Sequence, residues 1–257
     1  MILLINDDGI DHPGLRALYA ALRARTGLPV LAVVPTQQRS GLSHAITLDR
    51  GLSILPRLEE GFFAFAVDGT PTDCTKLGLA VVCPEPPKLV VSGINDGPNV
   101  GRSLFYSGTV GAAMEGAVEG HAGLAVNRDH GDGGFADAAT LAAEVAAWML
   151  ESPASFRGRV LNLNVPAGSQ AQWRPLRLAA HGHSGFREGY KPVRDARDHI
   201  AWRLAGEWVA APDDGESDAH LLSAGHPVVT MLAPDLNGDQ RPLQPLVDLI
   251  ASKEPRR

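Results

Sequence analysis

Two adjacent carboxylates, Asp7 and Asp8, follow a short apolar run at 2–5 and precede Gly9. Like charges that lie close together repel, so a cation must offset them or one of the two must stay protonated. A divalent cation is the simplest offset. A second interpretation is that the pair caps a helix that begins near Pro13. The pair alone leaves both interpretations open.

A hydroxyl and an amide supply further oxygen ligands if the fold brings them beside the acidic pair. Ser40 and Asn95, like Asp7 and Asp8, each come shortly after an apolar run. The carboxyl ends of the strands of an open parallel sheet share one edge, and ligands bind there. Two carboxylates, one hydroxyl and one amide carbonyl form a hard oxygen set suited to Mg²⁺, Mn²⁺ or Ca²⁺. The sequence therefore predicts a metal site and favours it over the capping interpretation.

A Ser-Gly-Thr segment, Ser107, Gly108 and Thr109, precedes small residues that predict a helix over 108–119. The N–H groups and the partial positive charge of a helix N-terminus suit a phosphate, and glycine lets the backbone approach an anion closely. For an isolated Ser-Gly-Thr, an ordinary helix cap is the better explanation. Its place beside the acidic pair favours the phosphate, for which Asn99 is a further candidate ligand.

The elements that position these residues alternate along the chain. Apolar runs predict strands at 2–5, 30–34, 47–54, 62–67, 89–91, 124–126, 160–165 and 228–232. Helical spacing predicts one helix that begins near Pro13. It predicts four more at 72–82, 108–119, 136–150 and 246–250. Short apolar strands separated by helices indicate an α/β fold with a mainly parallel sheet and helices on both faces. Within it, the strands at 47–54 and 62–67 are predicted to pair antiparallel.

The alternation stops after residue 167. Polar residues cluster between 180 and 199, and Trp202 and Trp208 are predicted to flank a turn. We interpret about 167–225 as an extension or C-terminal hairpin arm of one domain that spans 1–257. Asp218 has no assigned role at this point.

Composition and charge exclude several classes of protein. The formal net charge is −6 and the arginines are scattered, which argues against a dedicated nucleic-acid binder. No apolar run approaches the roughly 18 residues of a membrane span. Two cysteines, Cys74 and Cys83, cannot form a disulfide scaffold. With no export signal in view, we expect a reducing compartment, the cytoplasm.

Five polar, glycine-bearing segments stand out along the first half of the chain. They are Asn6-Asp7-Asp8-Gly9, Arg39-Ser40-Gly41, Gly69-Thr70-Pro71-Thr72-Asp73-Cys74, Ser92-Gly93-Ile94-Asn95-Asp96-Gly97-Pro98-Asn99 and Tyr106-Ser107-Gly108-Thr109-Val110. Together they resemble, in order and spacing, the SurE family of metal-dependent phosphatases and nucleotidases, and a strand end at 160–166 resembles that family as well. Asn127 departs from the family, which often has Ser there.

The resemblance implies both an activity and an assembly. It implies a Rossmann-like fold and one divalent cation per subunit, Mg²⁺ or Mn²⁺, held by Asp7, Asp8, Ser40 and Asn95. It also implies hydrolysis of nucleoside 5′-monophosphates, with 3′-nucleotides and short polyphosphate as further substrates. The expected assembly is a homodimer or homotetramer whose C-terminal arms can exchange.

Other functions are possible for an acidic pair after a first strand. A haloacid-dehalogenase-type phosphatase has one residue between its two aspartates, whereas Asp7 and Asp8 are adjacent. A receiver domain is about half this length, and a nucleotide-binding module would show a Gly-rich fingerprint or a Walker-type Gly-Lys-Ser. For the phosphatase, the sequence leaves open whether Asp7 or Asp8 activates the attacking water or attacks phosphorus directly.

Overall fold

The computed structural model describes residues 1–210 and 215–237. Its strands are β1 (Ile2–Ile5), β2 (Val30–Pro35), β3 (Ile54–Glu59), β4 (Phe62–Val67), β5 (Leu89–Asp96), β6 (Ala122–Arg128), β7 (Arg159–Val165), β8 (Arg177–Leu178), β9 (Gly185–Arg194), β10 (Ile200–Val209) and β11 (Val228–Leu232). Its α-helices are α1 (Pro13–Thr26), α2 (Pro71–Leu77), α3 (Gly108–Val118), α4 (Ala136–Glu151) and α5 (Asp218–Ser223). The helix predicted at 246–250 lies outside the described residues.

One sheet runs in the order β3-β4-β2-β1-β5-β6-β7-β11-β8. Neighbours from β4 to β7 are parallel, while β3 and β11 pair antiparallel with β4 and β7. Strand β1 lies between β2 and β5, so the strand order reverses there. This switch point, at the carboxyl ends of β1 and β5, is where an open α/β sheet binds ligands.

Helices cover both faces of the sheet because the buried strands are apolar on both sides. Ile2 and Leu4 of β1 pack into a core that includes residues of α1 and α4. Leu3 and Ile5 point to the opposite face and pack in a core that includes Cys74 of α2 and Ala112 of α3. This alternation follows the two-residue period of a strand. The predicted α/β fold, with a mainly parallel sheet and helices on both faces, is confirmed.

The start of α1 removes the capping interpretation of the acidic pair. His12 is its N-cap, and the His12 Nδ1 accepts a hydrogen bond from the backbone N–H of Gly14 at 3.2 Å. Pro13 occupies the first turn, where its missing N–H costs nothing. Asp7 and Asp8 are therefore not used to cap the helix.

The strand predicted at 47–54 lies later in the chain, at Ile54–Glu59. The backbone N–H of Thr47 donates to the Asp73 Oδ1 at 3.0 Å and is not free for a ladder. The observed strand β3 is mostly exposed at the sheet edge, so it lacks the apolar pattern that would have revealed it. The antiparallel partner of Phe62–Val67 is this later strand, and of the residues predicted to pair only Ile54 belongs to it.

The predicted arm contains a separate two-stranded hairpin. Strands β9 and β10 pair antiparallel, and the Asp195 Oδ1 accepts the backbone N–H groups of Arg197 and His199 in the turn between them. Trp202 and Trp208 both lie in β10, so the prediction that they flank a turn is wrong. Side-chain hydrogen bonding sets the turn, and the spacing of the tryptophans does not. Within the described residues, no helix is long and apolar enough to cross a membrane.

Candidate functional site

A cavity of about 950 Å³ opens at the switch point of the sheet. The strand ends and the residues before α3 line its inner side, and hairpin residues such as Phe186 and Tyr190 line its outer side. Of the eight predicted site residues, six contribute to its wall: Asp7, Asp8, Ser40, Asn95, Asn99 and Ser107. The fold therefore brings together side chains that are up to a hundred positions apart in the sequence.

Asp7 is buried at the end of β1, with only 3% of its surface exposed. Its Oδ1 accepts a short hydrogen bond from the Thr109 hydroxyl. Burial raises the pKa of Asp7 to about 6; the Thr109 hydrogen bond opposes this rise and the neighbouring Asp8 charge adds to it. The Thr109 hydroxyl is thus engaged with Asp7.

Gly108 is required where α3 begins because the helix starts against Asp7. A Cβ at Gly108 would lie 3.0 Å from the Asp7 Cβ and 3.1 Å from its Oδ2. Ser107 caps the helix by accepting a hydrogen bond from the Val110 N–H at 3.1 Å. The helix cap, which the sequence offered as the alternative to phosphate binding, is therefore present and lies beside the acidic pair.

One oxygen of Asp8, which lies 3.8 Å from the His12 Nδ1, makes no hydrogen bond to any described residue. Its Oδ1 accepts a long hydrogen bond of 3.4 Å from the Gln38 Nε2, whereas its Oδ2 is buried without any hydrogen bond. Burial raises the pKa of Asp8, while nearby His12 lowers it and the Asp96 charge raises it further. An unpartnered buried carboxylate oxygen costs stability. A cation at this point would remove that cost.

Ser40 and Asn95 add neutral oxygens to the same wall. The Ser40 Oγ accepts a hydrogen bond from the Gln38 Nε2 at 3.1 Å. The Asn95 Nδ2 donates to the Gly97 carbonyl at 2.7 Å, which leaves the Asn95 Oδ1 available as a ligand. Among the described residues, no three His, Cys, Asp or Glu side chains form a metal-binding group. The two carboxylates with neutral oxygens and water fit Mg²⁺, which keeps several of its waters.

A cluster of ionisable side chains around one buried carboxylate, which the sequence analysis missed, anchors the loop that carries Ser40. Glu115 of α3, 7% exposed in its side chain, binds the His44 Nε2 at 2.6 Å and the Lys76 Nζ at 2.7 Å. In the same loop, the Ser43 Oγ donates to the Phe105 carbonyl at 2.6 Å. Glu115 is the only charged residue of α3, and this isolation was the signal that could have revealed it.

Asp218 ties the hairpin root to the cavity. It is fully buried, and its Oδ2 accepts the Gly101 N–H at 3.0 Å while its Oδ1 accepts the Gly182 N–H at 3.1 Å. Gly101 lies in the loop that follows Asn95 and Asn99. Asp218 therefore joins this loop to the segment from which the hairpin extends.

The fold and the cavity define an α/β protein with paired acidic side chains at the switch point of a mainly parallel sheet. Residues 2–188 match the family described as "Survival protein SurE", and the chain belongs to this family. The resemblance predicted from the five segments is confirmed.

Similar proteins match over nearly the whole chain. A "5'-nucleotidase SurE" from Symbiobacterium thermophilum is 39% identical over 239 residues, which cover 92% of this chain and 93% of the relative. A protein of the same name from Desulfovibrio desulfuricans is 40% identical and covers 91% and 93%. The crystal structure of the Sure protein from Aquifex aeolicus aligns with a TM-score of 0.80 at 28% identity, covering 97% of this chain and 99% of its own.

Proposed function

We propose that this protein is a divalent-metal-dependent phosphomonoesterase that hydrolyses nucleoside 5′-monophosphates to nucleoside and phosphate. The observation that carries the proposal is the buried Oδ2 of Asp8, which makes no hydrogen bond to any described residue and lies beside Asp7 in a cavity at the N-terminus of α3. The names of the relatives support the nucleotide as substrate. The proposal includes 3′-nucleotides and short polyphosphate as further substrates.

Asp7, Asp8, Ser40 and Asn95 would hold one Mg²⁺ or Mn²⁺ per subunit. When bound, the cation neutralises charge that develops on the phosphoryl group and lowers the pKa of a bound water. Without a positive charge, the acidic pair would repel a phosphate, which is why the donor set and the proposed substrate require one another.

The helix N-terminus would bind the phosphate. Ser107 and Gly108 begin α3, where backbone N–H groups and the helix dipole favour an anion. Thr109 acts on the same site through its side chain, which holds the Asp7 carboxylate in place. Asp7 or Asp8 then either takes the proton of the attacking water or attacks phosphorus itself.

Phosphate release tests the proposal directly. The substrates are an aryl phosphate and each nucleoside monophosphate, assayed with and without Mg²⁺ or Mn²⁺. We expect metal-dependent release, reduced about a hundredfold or more in Asp7→Asn and Asp8→Asn, because each removes a charged group from the reacting centre. Asp11→Asn is the matched control, since the Asp11 side chain is 77% exposed and pairs with Arg57. Near-normal turnover in either site variant would contradict the assignment.

The assembly and the compartment are part of the proposal. We propose a homodimer or homotetramer, supported by exposed apolar side chains on the hairpin such as Phe186, Tyr190 and Trp202. Cys74 and Cys83 are both free, in keeping with a reducing compartment such as the cytoplasm. The Rossmann-like description and the division into one domain with an arm stay predictions.

A further inference from the structure

Four asparagines form a connected network beneath the cavity. Asn99 lies in the loop after β5, while Asn127, Asn162 and Asn164 lie on β6 and β7. The Asn162 Nδ2 and the Asn164 Nδ2 donate to the Asn99 carbonyl at 2.9 and 3.1 Å. The Asn164 Oδ1 accepts the Asn99 N–H at 2.8 Å. The backbone of Asn99 is therefore fixed on both its polar groups.

The side-chain amide of Asn127 has only one acceptable orientation. Its Nδ2 donates to the Leu163 carbonyl at 3.0 Å and to the Asn162 Oδ1 at 2.8 Å. A backbone carbonyl only accepts, and Asn162 turns its own Nδ2 toward the Asn99 carbonyl. Rotating the Asn127 amide by a half-turn would place its oxygen against two acceptors. The Asn127 Oδ1 must therefore face Asn99.

The orientation of the Asn127 amide also fixes the orientation of the Asn99 amide. Its Nδ2 donates to the Asn127 Oδ1 at 2.7 Å, so its own Oδ1 is the polar atom left over. The Asn99 Oδ1 makes no hydrogen bond to any described residue, and it keeps some exposed surface. Asn99 lines the cavity, so this oxygen is the polar side-chain atom that it can present there. An amide oxygen accepts and cannot donate, so it repels a phosphate oxygen and suits an O–H group.

We propose that the Asn99 Oδ1 accepts a hydrogen bond from a hydroxyl of the substrate's sugar, in an orientation that Asn127 and Asn162 enforce. The inference rests on the proposed nucleotidase function and adds a specificity-determining residue to it. It differs from the phosphate contact that the sequence predicts for Asn99.

The position of Asn99 along its loop fits a sugar. The loop leaves Asn95, at the proposed metal end, and reaches Arg102, whose N–H donates to the Ser184 carbonyl at the hairpin root at 2.8 Å. Along the chain, Asn99 lies between Asn95 and Arg102. A nucleotide with its phosphate at the metal end and its base toward the hairpin would place its sugar at this middle position.

The preference between sugars tests the proposal. kcat/KM is measured with Mg²⁺ or Mn²⁺ for AMP, 2′-deoxy-AMP and 3′-deoxy-AMP. We expect the wild type to favour AMP over one of the deoxy compounds by about tenfold, because the missing hydroxyl leaves a desolvated acceptor unpaired. Asn99→Ala should reduce this ratio to near one. The exposed Asn237, whose Nδ2 donates to Asp235, gives the matched control Asn237→Ala.

A second variant tests the orientation. In Asn127→Ser the hydroxyl can donate as well as accept, so the Asn99 amide is free to turn and the preference for AMP should fall. A purely structural role would lower all three rates together and leave their ratio unchanged. Aryl phosphate turnover and thermal unfolding report on the fold of each variant.

The possible outcomes separate this inference from the function beneath it. A wild type that hydrolyses AMP and both deoxy compounds equally well would overturn the inference and leave the nucleotidase function standing. The same holds if Asn99→Ala keeps the wild-type preference. Hydrolysis of aryl phosphate without any nucleotide would reject the proposed substrate, and the sugar contact with it.

Discussion

At the scale of single residues, the site holds negative charge where the protein alone stabilises it poorly. Asp7 and Asp8 are both buried enough for burial to be the largest cause of their raised pKa values. Asp73 shows the contrast. Burial raises its pKa too, but hydrogen bonds from Thr47 and Thr70 outweigh this and make the net shift downward. The difference separates a carboxylate that completes a helix cap from the pair that we propose holds a metal ion.

Asp7→Asn should stabilise the metal-free protein at neutral pH. Folding raises the pKa of Asp7 from 3.8 to about 6, so the folded state binds more protons than the unfolded state between these values. Stability from this group is therefore lost as the pH rises through that window, by up to about 3 kcal/mol. Asparagine does not titrate, so Asp7→Asn does not lose stability in this pH window.

Urea unfolding at pH 4 and pH 7 measures the effect. The difference in unfolding free energy between Asp7→Asn and the wild type should grow in favour of the variant from the lower to the higher pH. Asp11→Asn, at an exposed position, should show no such growth. A constant difference between Asp7→Asn and wild type across the two pH values would contradict the role of burial.

At the scale of elements, α3 links the proposed site to the core. Its first residues lie against Asp7, its Glu115 anchors the loop that carries Ser40, and its small residues let it approach the sheet closely. A Cβ at Gly116 would lie 2.8–3.0 Å from three atoms of Val90 on β5. The distance between helix and sheet is thus set by the absence of a side chain.

Gly116→Ala should move α3 away from β5 and weaken both stability and metal binding. Overpacking of this kind costs about 1–3 kcal/mol. Gly134→Ala is the matched control, because a Cβ there meets no atom within 4 Å. Thermal unfolding and titration with Mn²⁺ are the measurements. Equal behaviour of the two variants would show that α3 tolerates displacement.

Hydrophobic periodicity predicted the elements whose buried residues recur at regular spacing. It failed where side-chain hydrogen bonds determine the conformation of the backbone. The bounds of α3 and α4 agree with prediction to within one residue. Strand β5 was predicted only to residue 91, yet it continues through polar residues to Asp96 with an irregular register after Ser92. The amide network around Asn99 joins three segments, so no local pattern could have disclosed it.

At the scale of the whole molecule, the hairpin of β9 and β10 carries most of its large side chains unburied. Tyr190 and Trp202 are each 63% exposed, and Ile200 and Leu204 are similar. Exposed apolar clusters of this kind typically mark contact surfaces. They support the proposed homo-oligomer, in which a second copy would cover them.

Trp202→Glu should shift the protein toward a smaller species. A charge placed at the centre of an apolar contact must be desolvated on association, which weakens that association. Light scattering during size-exclusion chromatography gives the mass. The control is Val81→Glu, since Val81 is 67% exposed and lies outside the hairpin. A monomeric wild type, or an unchanged mass in Trp202→Glu, would contradict the role of the hairpin in assembly.

The two walls of the cavity come from parts of the chain that differ in how far their sequence can change. Its inner wall belongs to strand ends and helix starts that the core holds in place, whereas its outer wall belongs to the hairpin, which pairs mainly with itself. Mutations in that hairpin can accumulate without disturbing the acidic pair or the sheet. Substrate range can therefore diverge among descendants of this protein while the proposed hydrolytic centre stays the same.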